Sequence, residues 1–230
     1  MRYFERQALD EKIQNQLDKK ESKDWKKLTE HQRNDIVEKL MSSQKRICAY
    51  CECEISKDNH HIEHFEERHE APTLIFKYNN MLLSCQGENS PISISETEDE
   101  AHSRRMNTSC GHKKESGRHQ NTEIDYTLLL NPTNNVSAMF SYVHGEIEPS
   151  RICSVEQIKQ VEYTRKRLNL DADRLKNKRK EQIGLVTQRL IGLTDAQQAA
   201  FIKGLLDENQ DILDPYFSTI KDNFGFMLRV

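Results

Sequence analysis

The residues best suited to chemistry lie between Cys48 and His64, in the segment CAYCECEISKDNHHIEH. Cys48 and Cys51 are separated by two residues, a spacing that forms a tight turn and directs both sulfur atoms to one point. Two thiolates so placed predict half of a tetrahedral zinc site, with Zn–S bonds of about 2.3 Å. Glu63 and His64 adjoin each other between apolar residues, as expected near the end of a short buried strand.

A carboxylate beside an imidazole can supply two parts of phosphodiester hydrolysis. That reaction needs a base that takes a proton from water and a divalent cation that neutralises charge on the phosphate and the leaving oxygen. Glu63 offers a ligand for the cation, and His64 offers the base. Because successive strand residues point to opposite faces, the two can share one site only if the strand ends or bulges there.

Further polar groups follow downstream in an order that completes such a site. Asn80 stands at the end of the polar loop after the strand, where its amide can bond to loop backbone. A second short strand, MLL, then leads to Cys85. Cys110 and His112 lie in the phrase SCGHKK, which predicts the start of a helix carrying a thiol, an imidazole and two lysines.

This order of parts resembles the HNH endonuclease family, whose core is a ββα-metal fold. In that family an acidic residue and a histidine end the first strand, an asparagine organises the loop, and a histidine or asparagine on the helix completes the metal site. The resemblance implies that Glu63 and His112 bind the catalytic ion, Mg²⁺ or another divalent cation. It implies that His64 is the general base and that Asn80 organises the loop. It also implies a structural zinc on four cysteines: Cys48, Cys51, Cys85 and Cys110.

Two features depart from the usual family pattern. The second cysteine pair is opened by the 24 residues 86–109, and Glu63 occupies a position where aspartate is commoner. Within the family, the phrases RICAYCE, HIEHF, YNNMLLSC and SCGHKK are similar to the PtuB subgroup. Those matches cover about residues 46–114, and the phrase RLNLDADRL extends the likeness loosely.

The PtuB subgroup accompanies an ABC-type ATPase, PtuA, in Septu anti-phage systems, some of which are attached to retrons. The resemblance therefore implies three partners: a DNA or RNA substrate, a PtuA-like ATPase and, where a retron is attached, its reverse transcriptase with its nucleic acid. The sequence contains no Walker motif, so the ATPase would be another chain. An unregulated nuclease would damage its host, and we expect the terminal helices to dock on the ATPase.

The patterns predict an α+β fold, mainly α-helical, in three parts. These are an N-terminal helical arm (1–45), an HNH nuclease domain (46–150) and a C-terminal helical region (151–230). Within the nuclease domain, residues 86–109 have the composition of a polar loop, and residues 139–149 predict a hairpin. Helices are predicted over 4–20, 24–42, from Ser154, after Asp171, from Thr194 to Leu206 and from Asp211 to Asp222.

Composition limits the environment of the chain and its partners. With 31% charged residues and no apolar run near 18 residues, the sequence excludes a membrane span, and its start has no secretion signal, so we expect the cytoplasm. Six cysteines in such a chain favour metal binding over disulfides, which leaves Cys53 and Cys153 as small core residues. The whole chain has a net charge of −3, but residues 151–180 alone have a net charge of +6. We expect the basic run from Arg165 to Lys180 to lie near the substrate path.

Two other interpretations of the same residues are weaker. A zinc-finger nucleic-acid-binding or adaptor protein would use Cys48, Cys51, His60 and His64. Its gap of eight residues is shorter than the dozen of a ββα finger, and it leaves Cys85 and Cys110 idle. A zinc deaminase would match H-x-E at residues 61–63, but the downstream P-C-x-x-C is missing. We expect the neighbouring histidines to be surface or supporting groups and not ligands: His60, His61 and His69.

Overall fold

The computed structural model describes residues 1–21, 24–87, 97–116 and 123–229. Within these ranges the chain is α+β, as predicted, with two antiparallel two-stranded sheets. The first sheet pairs β1 (His60–His64) with β2 (Met81–Cys85), and the second is a hairpin of β3 (Phe140–Val143) and β4 (Glu146–Pro149). The α-helices are α1 Glu11–Asp18, α2 Glu30–Ser43, α3 Glu98–Asn107, α4 Cys110–Ser116, α5 Val155–Arg167, α6 Asp173–Leu190, α7 Asp195–Leu205 and α8 Phe217–Phe224.

The two N-terminal helices start later than the sequence predicts. The Asp10 side chain accepts hydrogen bonds from the backbone N–H groups of Lys12 and Ile13, so α1 starts at Glu11. In α2 a capping box formed by Thr29 and Gln32 sets the start at Glu30, and a short 3₁₀ turn, Trp25–Lys27, precedes it. The prediction of helix from residue 4 and from residue 24 is therefore wrong, because local caps compete with helix-forming composition.

Residues 86–109, predicted to be a loop, contain helix α3. Thr97 caps it together with Glu100, and its first turn holds three acids, whose charges favour a helix N-terminus. Residues 88–96 lie outside the described residues. The N–H of Ser109 donates to the carbonyl of Gly87 at 3.0 Å, which closes the segment into a neck formed by these two residues. Gly87 has φ +56, and a Cβ there would overlap the Ser109 carbonyl oxygen.

Two of the C-terminal helices begin where their caps predict, and the last begins later than predicted. Ser154 caps α5 and Thr194 caps α7, each in a capping box with a glutamine. Helix α8 begins only at Phe217 because Pro215 disfavours helical backbone at Asp214 and Tyr216 adopts a left-handed conformation, with φ 58. The chain between α7 and α8 instead bonds to distant backbone: the N–H of Tyr216 donates to the carbonyl of Glu52 at 2.8 Å.

The larger apolar core contains residues from all three predicted parts, such as Leu40, Leu83 and Leu168. Cys53 and Cys153 pack against this core, as predicted. The division at residues 45 and 150 stays a prediction. None of the helices in the described ranges combines the length and the apolar character needed to cross a membrane.

Candidate functional site

The sulfur atoms of four buried cysteines converge within 4.8 Å of one another. The distance from Cys48 to Cys110 is 3.9 Å, and the distance from Cys51 to Cys85 is 3.7 Å. A regular tetrahedron with Zn–S bonds of about 2.3 Å has S···S edges of about 3.8 Å, so the donor set fits a structural zinc. The structure therefore brings together the four predicted cysteines, although 24 residues separate the last two. It does not bring together the alternative zinc-finger set, which would use His60 and His64 as ligands.

Backbone geometry holds these cysteines in place. In the turn from Cys48 to Cys53, here called the zinc knuckle, the Cys48 N–H donates to the carbonyl of Cys53 at 2.8 Å, and Glu52 adopts a left-handed conformation with φ 63. Cys110 is also left-handed, with φ 58, and its N–H donates to the carbonyl of Leu168 at 2.8 Å. Such a conformation costs on the order of 1 kcal/mol in a non-glycine residue, so the surrounding contacts must hold it.

Helix α4 packs against β2 and carries Lys114 to a buried carboxylate on β1. The Lys114 ammonium and the Glu63 carboxylate are both buried, and Nζ pairs with Oε1. Burial alone would raise the pKa of Glu63, but the charges of Lys114 and His61 together outweigh this effect, and the pKa falls to about 2. Nζ also donates to the carbonyls of His64 and Phe65, so Lys114 ties the end of β1 to α4.

The His61 imidazole lies beside the second oxygen of this carboxylate, and the His112 imidazole lies against the His61 ring. Nε2 of His61 is 3.5 Å from Oε2 of Glu63, and the rings of His61 and His112 have centroids 4.2 Å apart. Burial, and then the charge of His61, lower the pKa of His112 to about 4, so its ring is neutral at pH 7. Glu63, His61 and His112 therefore form one cluster between β1 and α4.

Gln86 orients the His112 ring. Its amide nitrogen donates to the carbonyl of His60 at 3.0 Å, so its amide oxygen faces Nε2 of His112, at 3.1 Å. Because that oxygen only accepts hydrogen bonds, Nε2 carries the hydrogen and the lone pair is on Nδ1. Gln86 thus selects the nitrogen of His112 that can act as a ligand.

His64 faces away from that cluster. Its Nε2 donates to the carbonyl of Ile75 at 2.9 Å, and its ring meets Trp25 edge-on, with centroids 4.6 Å apart. Burial lowers the pKa of His64 to about 4, so the ring is neutral and its lone pair is on Nδ1. Strand β1 pairs regularly with β2 at both Glu63 and His64. No bulge therefore turns these two side chains to one face.

Asn80 clamps the loop that follows β1. Its side-chain oxygen accepts from the N–H of Glu66 at 2.8 Å, and its amide nitrogen donates to the carbonyl of Glu66 at 3.0 Å. The N–H of Phe65 donates to the Asn80 carbonyl at 2.9 Å. These three bonds fix the backbone directly after Glu63 and His64.

The cluster also contains residues that the sequence analysis did not assign to it. His61 was expected to be a surface or supporting group, yet it lies two residues before Glu63 on the same strand face, a signal that strand alternation provides. Gly111 and Lys114 become visible only once α4 is seen against β1. Nothing in the sequence distinguishes Lys114 from its neighbour Lys113.

We expect Gly111→Ala to disturb the cluster. A Cβ at this position would lie 2.5 Å from Oε2 of Glu63 and 2.8 Å from Nε2 of His61. Overpacking of this kind costs about 1–3 kcal/mol, so the free energy of unfolding in urea should fall by that amount. The control is Gly184→Ala inside α6, where an added Cβ meets nothing within 4 Å. It should be neutral or up to about 1 kcal/mol stabilising. Equal stabilities of the two variants would contradict this account.

The cluster of Glu63, His61 and His112 has donor atoms of the kind that a catalytic ion needs, but these atoms do not converge on one point. In the described residues, the four cysteines are the only group of three or more His, Cys, Asp or Glu donors within 4.8 Å of one another, so Glu63, His61 and His112 are adjacent but not converged. However, Oε2 of Glu63 is buried and accepts no hydrogen bond from any described residue. A carboxylate oxygen beside two imidazoles is a donor set that divalent metals accept.

The basic run from Arg165 to Lys180 does not present one face. Arg179 is fully buried and donates to the carbonyls of Gly145 and Leu170, so the expectation that it lies on the substrate path is wrong. A charged residue was assumed to be exposed, but here the fold uses it to join two backbone segments. Arg167 donates to the Lys114 carbonyl at 3.2 Å, so this arginine lies against helix α4.

A scan of protein-family models finds none that matches this chain. The "Retron Vc95 putative HNH endonuclease" of Vibrio cholerae serotype O1 biovar El Tor is 28% identical over 166 residues, which cover 70% of this chain and 67% of the relative. The similarity does not bear on the PtuB subgroup, which stays a prediction. It does support the HNH endonuclease family as the one to which this sequence is related.

Proposed function

We propose that this chain is a metal-dependent HNH endonuclease that hydrolyses phosphodiester bonds in DNA or RNA. The proposal is carried by the cluster in which His61 contacts both Glu63 and the ring of His112, beside four cysteines that include Cys110 at the start of the same helix as His112. The similarity to the "Retron Vc95 putative HNH endonuclease" supports it.

The roles follow from the positions of the side chains. Glu63 and His112 would hold the catalytic divalent ion, which when bound neutralises charge on the phosphate and the leaving oxygen. His64 is the last residue of β1, and its neutral ring, with the lone pair on Nδ1, can take a proton from the attacking water. A phosphate at this end of the strand can lie between the two faces that carry Glu63 and His64, while Asn80 holds the adjoining loop.

The other candidate is a non-catalytic zinc protein that binds nucleic acid or serves as an adaptor. One observation favours it: Oε1 of Glu63 is already paired with the buried Lys114 ammonium, an arrangement that also occurs in purely structural ion pairs. The four-cysteine cluster would serve this function equally well. The two functions differ in whether phosphodiester bonds are broken.

We also propose that an ABC-type ATPase binds this chain and controls its activity, as the PtuB resemblance implies. Large apolar side chains exposed in the C-terminal segment offer a surface for such a partner: Leu185, Ile191, Ile212, Phe226 and Leu228. Deleting residues 195–230 would not test this surface cleanly, because Tyr216 and Phe217 belong to buried apolar clusters. A single exposed residue such as Phe226, which is 63% exposed, is the better target.

One experiment tests the activity and its control together. The purified chain, alone and with a co-expressed ABC-type ATPase, is given end-labelled DNA and RNA with and without added Mg²⁺ or Mn²⁺. We expect fragments only with the added ion, and less cutting when the ATPase is bound. Phe226→Glu should weaken co-purification of the ATPase and leave cutting by the free chain unchanged. Binding of nucleic acid without cutting under any ion would favour the adaptor function instead.

A further inference from the structure

We propose that His61 is a third protein ligand of the catalytic ion, and that the site therefore binds Co²⁺, Ni²⁺ or Zn²⁺ more tightly than Mg²⁺. This inference rests on the proposed function, because the ion is the one assigned to Glu63 and His112. It adds a residue to the site and names the chemical class of the ion.

His61 lies on the same strand face as Glu63. His61 and Glu63 pair with Ser84 and Leu82 in one unbroken register, so both side chains leave the same face of β1. Nε2 of His61 lies 3.5 Å from Oε2 of Glu63, the carboxylate oxygen that Lys114 does not hold. An ion bound to Oε2 would therefore meet the His61 ring directly.

His112 lies on α4 where its ring reaches His61. Its ring lies against the His61 ring, with centroids 4.2 Å apart. Gly111 allows this approach, because a Cβ there would lie 2.8 Å from Nε2 of His61. Gln86 assigns the hydrogen of the His112 ring to Nε2, so the lone pair on Nδ1 is the one that can bind a metal.

The chemistry of the donor set determines which ions it prefers. Mg²⁺ prefers oxygen ligands and retains several waters, whereas imidazole nitrogens favour later first-row metals. Two imidazoles and one carboxylate oxygen therefore discriminate against Mg²⁺, and affinity should rise from Mn²⁺ to Ni²⁺ along the usual series. Without His61, the remaining imidazole and carboxylate would discriminate less strongly against Mg²⁺.

The test measures ion binding directly, without relying on cutting. Zinc-loaded full-length protein carrying His64→Ala is titrated with Co²⁺, followed by calorimetry and by the visible absorption of Co²⁺. Zinc content is checked afterwards, because Co²⁺ in the cysteine cluster would give a separate thiolate absorption. Mg²⁺ is then used as a competitor to obtain the ratio of the two affinities.

We expect His61→Ala in this background to weaken Co²⁺ binding by about 10-fold or more. The preference for Co²⁺ over Mg²⁺ should fall with it, and added imidazole should restore part of the affinity. The matched control is His60→Ala, because the His60 ring lies next to the Ser56 carbonyl and not in the cluster. It should bind Co²⁺ as its parent does. His61→Asn provides a second variant should the alanine variant fold poorly.

Two results would overturn the inference, and only the second would also contradict the proposed metal-dependent function. If His61→Ala and His61→Asn bind Co²⁺ as tightly as the parent while Glu63→Gln binds it weakly, His61 is not a ligand but the proposed active site stands. If the parent protein binds neither Co²⁺ nor Mg²⁺ beyond its structural zinc, the inference and the proposed metal-dependent function fall together.

Discussion

Replacing Cys110 with serine is expected to release a tightly bound zinc ion and to abolish cooperative unfolding of the site region. Structural zinc contributes an apparent 10–16 kcal/mol in zinc-finger peptides, comparable with the 5–15 kcal/mol total stability of a typical domain. The Cys110 side chain is fully buried, and its left-handed backbone would have no sulfur–metal bond to hold it. Cys48→Ser should behave in the same way.

Metal analysis of purified wild type should show about one zinc per chain, as four thiolate ligands form one tetrahedral site. Thermal unfolding then compares wild type, Cys110→Ser and the control Cys153→Ser. Cys153 is partly buried outside the cluster, and its thiol donates to the carbonyl of Met139 at 3.3 Å, so the control should keep its zinc. A wild type that folds well without zinc would overturn the structural role of the cluster.

His64→Ala should remove most of the nuclease activity while the protein keeps its zinc. A general base contributes on the order of 10²–10⁴ in rate, so the single-turnover rate of cutting should fall by that factor. The measurement uses excess enzyme and a saturating divalent ion, so that neither substrate binding nor product release limits the rate. Zinc content and thermal unfolding confirm that the variant is folded.

His64→Ala also removes the ring that packs on Trp25, and a variant of similar size separates packing from chemistry. His64→Gln should be as inactive as His64→Ala but closer to wild type in stability. His69→Ala serves as the positional control, because the His69 side chain is half exposed in the loop beyond β1. Equal cutting by wild type and both His64 variants would exclude His64 as the base.

Features set by short-range rules could be predicted from the sequence. The caps at Ser154 and Thr194 fixed two helix starts, and strand alternation found the hairpin at residues 139–149. The four-cysteine set was found through family resemblance, because spacing alone predicts only the first pair. Residue composition was a poorer guide, since the helix-forming residues before Asp10 form no helix.

Features that depend on long-range packing could not be predicted. Arg179 belongs to the run predicted near the substrate path because charged side chains are nearly always exposed, but it is buried, and one carbonyl that accepts from it, that of Gly145, lies 34 residues away. The ion pair of Lys114 with Glu63 could not be predicted either, because it forms only when α4 packs close to β1. From the sequence, Glu63 and His64 could lie on opposite faces of a regular strand or on one face of a bulged strand. The regular register of β1 with β2 shows that they lie on opposite faces.

The neck formed by Gly87 and Ser109 has a consequence for protein engineering. A backbone hydrogen bond and the flanking Cys85 and Cys110 hold the two ends of the intervening segment together, next to the four-cysteine cluster. Lengthening a closed loop costs free energy only slowly, about 0.6 kcal/mol for each doubling. A fluorescent or affinity module spliced between residues 88 and 96 would thus report on this protein in living cells without altering its zinc knuckle.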